Sequence, residues 1–111
     1  MKNSRLTHRE LTMLTAEFAK IPSIEQVILF GSRALGTAEA GSDIDLCVMG
    51  KAVDRHAVLT LKMSLEEETQ LPYFFDIIDY RSIENDDLKR HVDTHGKEIY
   101  RRAAVDRLQP R

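Results

Sequence analysis

Two short apolar segments on either side of a Gly-Ser step constrain the fold of this chain most. Residues 25–31, "EQVILFG", are rich in β-branched residues and end on glycine, which predicts a buried strand over about 26–30. Residues 43–49, "DIDLCVM", alternate in polarity, as in a strand with one buried face. Its apolar face carries Ile44, Leu46 and Val48, and its other face carries Asp43, Asp45, Cys47 and Met49. If the chain reverses at Gly36 and Gly41, the two strands lie side by side.

Helix signals precede and follow this pair of strands. Thr7 and Glu10 form a capping-box pattern, and the helix that they begin should stop near Ile21, because Pro22 disfavours helix in the residue before it. Asp54 is a suitable N-cap for a helix that extends to about residue 69. Its predicted inner stripe comprises Val58, Leu61 and Leu65.

The last third of the chain is predicted to contain one strand and two helical segments. "YFFDIIDY" indicates a strand over about 73–80,. Ser82 caps or precedes the next helix, which ends at Gly96, and "KEIYRRAAV" is predicted to be a further helical segment,. The predicted order is α-β-β-α-β-α-α, a small α/β domain with at least three strands.

Composition and net charge limit the classes of function that the chain could have. The chain has 111 residues, 42% hydrophobic and 31% charged, which suits one domain over 1–111 with a core of about 7–100. A net charge of -2 provides no basic footprint, so direct nucleic-acid binding is not expected. The single cysteine excludes an internal disulfide framework,. There is no signal-peptide pattern and no apolar run near ~18 residues, so we expect a cytoplasmic protein without a membrane contact.

The two aspartates of the second strand predict a cation site. Residues two apart on a strand point the same way and lie roughly 6.5 to 7 Å apart along it. Asp43 and Asp45 therefore present two carboxylates on one face. Such carboxylates repel each other, and a hard cation such as Mg²⁺, which prefers oxygen ligands, relieves that repulsion.

Gly31 and Ser32 predict an anion site in the same cleft. If a helix or tight turn begins at Ser32, its backbone N–H groups can bind phosphate, and Gly31 allows a close approach,. The serine hydroxyl adds one donor.

A third carboxylate would complete a two-metal centre. Asp76 and Asp79 are the candidates, and their spacing puts them on opposite faces of a regular strand. We choose Asp76, because large apolar residues flank it and make an unpaired charge there costly. Solvent at the strand end is a sufficient explanation for Asp79. For Asp76 the alternative is a structural carboxylate paired with an arginine.

These motifs together resemble the DNA polymerase β-like nucleotidyltransferase superfamily, and within it the minimal nucleotidyltransferase (MNT) group. The resemblance rests on "FGSRALG", "GSDIDL" and "FFDIID", with "LKRHVDTHGKEIY" similar to the usual C-terminal helical segment. It covers about residues 25–100. The family implies a mixed sheet with helices packed on it.

The resemblance also implies transfer of a nucleoside monophosphate from an NTP to a hydroxyl, with release of pyrophosphate. Asp43 and Asp45 resemble ligands that bridge two divalent ions, and Asp76 resembles the ligand of the catalytic ion. Gly31 and Ser32 resemble the residues that hold the β- and γ-phosphates, and Arg33 assists them.

The MNT group is similar to the antitoxin half of two-gene toxin–antitoxin modules, whose partner is a helical HEPN protein with RNase activity. The implied reaction is AMP transfer from ATP to a tyrosine of that toxin. Because the chain is short, the acceptor surface must come from another chain, from a homodimer interface or from the acceptor itself. Two alternatives stay open: a small-molecule acceptor such as an antibiotic, and an antitoxin that acts by binding alone.

Several other residues favour ordinary structural roles. His91 and His95 lie four apart on a predicted helix, where a solvated face is favoured over a metal site. Cys47 is predicted to fill the core. The basic tail, Arg101, Arg102, Arg107 and Arg111, is predicted to be a frayed solubilising end, and Tyr73 and Tyr80 pack at the core or rim or stack on a base,.

Overall fold

The fold alternates helices and strands along the chain. In a computed structural model, residues 6–37 and 43–102 are described. Gly41 and Arg107 and Arg111 of the tail lie outside these residues. Among the helices of the described part, none has the length and apolarity needed to cross a membrane. In chain order the elements are α1 (His8–Ala19), β1 (Gln26–Phe30), α2 (Ser32–Leu35), β2 (Ile44–Met49), α3 (Arg55–Glu68), β3 (Phe75–Asp79), a 3-10 turn (Tyr80–Ser82), α4 (Asp86–His95) and β4 (Lys97–Arg101).

The strands form one mixed sheet with the order β3-β2-β1-β4. β1 is antiparallel to both β2 and β4, whereas β3 is parallel to β2. A parallel neighbour requires a crossover, and α3 provides it. The predicted small mixed sheet with helices packed on it is thereby confirmed.

Each face of the sheet has its own apolar cluster, as the alternation in β2 predicts. Leu46 and Val48 face α1 and α3, together with apolar residues of β1 and β3. Cys47 faces the other way and packs with Ile28, Phe30 and Val92 of α4. The helices therefore lie on both sides of the sheet, and α4 covers the face on which Cys47 of β2 lies.

The helix starts follow local capping chemistry. Thr7 and Glu10 form the predicted capping box, with N–H···O distances of 2.9 and 3.0 Å. Asp54 caps α3 by accepting the Ala57 N–H at 2.9 Å. α4 is capped by Asn85, which accepts the Leu88 N–H at 2.9 Å. Ser82 does not cap α4; it ends the 3-10 turn that precedes it.

The predicted helix after Gly96 is wrong, because Lys97–Arg101 forms strand β4. Gly96 ends α4 with an extended backbone, φ −65° and ψ 150°, so the chain leaves the helix already in strand geometry. Without β4, the second edge of β1 would carry unpaired N–H and C=O groups beside the core. Helical spacing in "KEIYRRAAV" is a weaker preference than this pairing.

Arg102 is not part of a frayed tail. Its side chain donates to the carbonyl oxygens of Ile24 at 3.1 Å and Ile21 at 2.9 Å. Its own N–H donates to the Glu25 carbonyl at 2.7 Å. The residue after β4 therefore binds the loop between α1 and β1.

Candidate active site

The site is built around the bend between β1 and α2. Gly31 occupies this bend with φ 79° and ψ −157°, a backbone conformation open almost only to glycine. A Cβ at Gly31 would overlap Asp45 Oδ2. The carboxylate of Asp45 thus lies directly against the backbone of the bend, so two of the predicted site residues are brought together.

Strand register brings the acids of β2 and β3 together. Asp45 is paired with Phe30 across the antiparallel ladder and with Asp76 across the parallel one. Burial, followed by the charges of Asp76 and Asp43, raises the pKa of Asp45 to about 6. The three predicted acids therefore share one region of negative charge beside Gly31.

The choice between Asp76 and Asp79 rests on this register. Large apolar residues flank Asp76 in the sequence, but the expectation that a charge there is costly is wrong, because Asp76 is exposed while Phe75 points into the core on the opposite face. In the parallel ladder, Asp76 is nevertheless paired with Asp45. Asp79 lies at the strand end, where its Oδ1 accepts the Arg81 N–H at 3.1 Å. Asp76 therefore belongs with the bend, whereas Asp79 begins the 3-10 turn.

The chemistry of the acids suits a divalent ion that arrives with a nucleotide. Within 6–37 and 43–102, no three His, Cys, Asp or Glu side chains converge to hold an ion by themselves. Mg²⁺ commonly takes only one or two carboxylates and completes its shell with phosphate oxygens and water. Asp43, Asp45 and Asp76 offer carboxylates of the kind that such a site uses.

Ser32 begins α2, which is too short to bind phosphate through a helix dipole. α2 spans four residues, Ser32–Leu35, so any helix-dipole contribution is small. The Gly31 carbonyl accepts the N–H groups of Ala34 and Leu35, both at 3.1 Å. These bonds close the turn behind Ser32, which is half-buried at its start.

Arg33 belongs to α2 and follows Gly31 by two residues. It is 4% exposed, and its guanidinium lies 4.6 Å from the centroid of the Tyr73 ring. The Tyr73 hydroxyl donates to Glu10 Oε2 at 2.6 Å, which raises the pKa of Tyr73. Arg33 therefore connects the bend to α1 and to the segment before β3, and Tyr73 packs against protein groups.

His91 is a residue of this site that the sequence did not reveal. The Gly31 N–H donates to His91 Nε2 at 2.9 Å. The imidazole also meets the Phe30 ring edge-on, with centroids 6.1 Å apart. The spacing of His91 and His95 marked a helix face but could not show that this face meets the end of β1. The nearby Asp87 is paired with Arg90 at 2.9 Å, which further disfavours a metal site on α4.

Cys47 is not a nucleophile. Its side chain is fully buried, and burial, followed by the charges of Asp79 and Asp93, raises its pKa to about 12. The thiolate, which is the reactive form, is therefore negligible near neutral pH. Its predicted role as a core residue is confirmed.

Comparison with solved structures identifies similar folds in toxin–antitoxin complexes. A chain of a toxin–antitoxin crystal structure with AMP-PNP is 27% identical, with a TM-score of 0.68 over 88% of this chain and 78% of that chain. A chain of a mutant MntA-HpeT toxin–antitoxin complex is 30% identical, with a TM-score of 0.63 over 93% and 79%. A complex of tri-AMPylated Shewanella oneidensis HEPN toxin with MNT antitoxin, at 24% identity, TM-score 0.56 and coverage of 88% and 78%, shows the fold alone.

The family assignment comes from a sequence model. No curated protein matches the chain significantly. The family model described as "Polymerase beta, Nucleotidyltransferase" matches residues 13–104, which include the bend, the three acids and His91. The chain therefore belongs to the polymerase beta nucleotidyltransferase family.

Proposed function

We propose that this protein is a Mg²⁺-dependent nucleotidyltransferase that transfers AMP from ATP to a tyrosine of a HEPN-type toxin and thereby acts as an antitoxin. The observation that carries the proposal is the contact between Asp45 and Gly31, beside Asp76. Mg²⁺ takes carboxylate oxygens together with phosphate oxygens, and this acid lies against the bend that is predicted to bind phosphate.

Each residue of the site has a distinct proposed role. Asp43 and Asp45 would hold both divalent ions, and Asp76 would hold the ion nearest the acceptor. The bend of Gly31 and Ser32 would bind the β- and γ-phosphates. Arg33, stacked on Tyr73, supports the bend from beneath, and direct contact with the nucleotide stays a prediction.

The reaction would be an in-line displacement at the α-phosphorus. The acceptor oxygen forms a bond to phosphorus, the bond from phosphorus to the oxygen bridging to the β-phosphate breaks, and pyrophosphate leaves with that electron pair. Two bound Mg²⁺ ions would stabilise the entering and leaving oxygens. Asp76, whose side chain is exposed, would take up the hydroxyl proton.

The acceptor is proposed from the similar structures. Two of them are toxin–antitoxin complexes, one with AMP-PNP, and a third contains a tri-AMPylated HEPN toxin. These support a HEPN-type protein as both partner and acceptor, so a hetero-oligomer is expected. We propose the cytoplasm as the compartment, where ATP and such a partner meet.

Mass spectrometry of the partner tests the proposal. The protein is incubated with Mg²⁺, ATP and the HEPN-type product of the neighbouring gene, and the intact mass of that product is measured. We expect the mass to rise by whole AMP units with the wild-type protein. Asp43→Asn, Asp45→Asn and Asp76→Asn should abolish or severely reduce transfer, because each removes a negative charge that holds the ions.

The matched control is Asp79→Asn, on the same strand as Asp76 but outside the acidic group. It should keep most of the activity, and equal losses in the two variants would mean that the third acid is misassigned. A partner that binds tightly with unchanged mass would replace this proposal with an antitoxin that acts by contact alone. Replacing tyrosines of the partner then identifies the acceptor.

A further inference from the structure

We propose that His91 is a positioning residue: by accepting the N–H of Gly31, it fixes the orientation of the bend that receives the triphosphate. This inference rests on the proposed function, since the orientation matters only if the bend binds phosphate. It concerns a residue on α4, distant in sequence from the bend. In the described part of the chain, a hydrogen bond of 2.9 Å between Gly31 N and His91 Nε2 links His91 to that bend.

The helix that carries His91 is firmly seated. Val92, the next residue, is 3% exposed and packs with Ile28 and Phe30 of β1. At the end of the helix, Gly96 lies so close to Ile28 that a Cβ would overlap its side chain. The imidazole of His91 is further held by edge contact with Phe30. A helix that is packed in this way can hold a hydrogen-bond acceptor at a fixed point.

The hydrogen bond determines which way the bend faces. With the Gly31 N–H directed at His91, the preceding peptide cannot rotate freely. The dihedrals of Gly31, φ 79° and ψ −157°, then set the direction of the next N–H, that of Ser32. The Gly31 N–H itself is already used, so the phosphate donors of the bend are the N–H and hydroxyl of Ser32. Gly31 contributes the positive φ of the bend, and the space of its missing side chain is taken by the Asp45 carboxylate.

The bond also defines the chemical state of His91. A ring nitrogen that accepts a hydrogen bond carries no proton, so a neutral His91 must carry its proton on Nδ1. This tautomer is an observable property of the wild-type protein. Nitrogen-15 NMR of the imidazole should show Nε2 unprotonated and Nδ1 protonated.

Three full-length variants separate positioning from packing. His91→Ala removes the acceptor, and His91→Gln retains one, because the glutamine amide oxygen reaches about as far as Nε2. His95→Ala is the matched control: it lies one turn further on α4, and its ring contacts His91 without bonding Gly31. For each protein, hydrogen exchange of the Gly31 amide and the Kd for Mg-ATP are measured well below the unfolding temperature.

We expect the Gly31 amide to exchange faster in His91→Ala and to regain protection in His91→Gln. The Kd for Mg-ATP should rise about 3- to 10-fold in His91→Ala, the effect of losing one hydrogen bond, and should be largely restored in His91→Gln. His95→Ala should behave as the wild type in both measurements.

The experiment distinguishes failure of the positioning role of His91 from failure of the proposed function. If wild-type protein binds Mg-ATP but His91→Ala matches His95→Ala in Kd, the positioning role is overturned while the proposed function stands. The role is equally overturned if His91→Gln fails to restore the Kd. If wild-type protein does not bind Mg-ATP at all, the proposed function falls and the role of His91 falls with it.

Discussion

Gly31 determines both the backbone conformation of the bend and the space that the Asp45 carboxylate occupies. Its positive φ excludes most side chains, and the space of a Cβ is taken by the Asp45 carboxylate. Gly36 also has φ 79°, but a Cβ there would meet no atom within 4 Å. Gly31 therefore combines a more restricted backbone conformation with steric overlap at the acid, whereas Gly36, with ψ 17°, has only the ordinary left-handed conformation.

Gly31→Ala should lower the free energy of unfolding by about 2 to 5 kcal/mol, because strain and overlap add. Gly36→Ala should cost only about 1 to 2 kcal/mol, the cost of a left-handed conformation in a residue with a Cβ. Urea unfolding of both variants measures the difference. Equal stability of the two would contradict the contact between Asp45 and the bend.

At the scale of elements, sequence patterns located the first three strands and the ends of α1, α3 and α4, but missed the N-cap of α4 and the last strand. β1 and β2 agree with their predictions because the apolar pattern and the glycine stop are both local. α1 and α3 begin at the predicted caps, since capping depends on three or four neighbouring residues. β4 was missed because its stabilisation comes from the edge of β1, which precedes it by many residues.

The end of α3 offers a prediction at this scale. Gln70 follows the C-cap of α3 with φ 57°, a conformation that glycine adopts at helix ends without strain. Gln70→Gly should therefore stabilise the protein by about 0.5 to 1 kcal/mol. Gln70→Ala, which keeps a Cβ at the same φ, is the control and should give no gain. A loss in Gln70→Gly, measured by urea unfolding, would mean that the left-handed conformation is absent.

At the scale of the whole molecule, polar contacts join segments that lie far apart in the sequence. Arg102 joins the end of β4 to the loop after α1 through carbonyl oxygens of Ala19, Ile21 and Ile24. Arg101, one residue earlier, forms a surface ion pair with Glu98, and its side chain is 65% exposed. The two arginines differ in burial of their partners, not in charge.

Arg102→Met should reduce the free energy of unfolding by about 1.5 to 3 kcal/mol, because charge-assisted hydrogen bonds to part-buried carbonyl oxygens are lost,. Arg101→Met should cost less than about 1 kcal/mol, the usual contribution of an exposed ion pair. Thermal and urea unfolding of both variants test this order. A larger loss in Arg101→Met would reverse the assignment.

The sequence by itself determined the local parts of this protein: the bend at Gly31, the acids of β2, the caps of α1 and α3, and the family. Each depends on neighbours within a few residues, where spacing and side-chain chemistry are sufficient. The tertiary structure decided that Asp76 rather than Asp79 lies beside Asp45, that Arg33 stacks on Tyr73, and that His91 holds the Gly31 N–H. These contacts are set by strand register and helix docking, which arise from packing across the whole core.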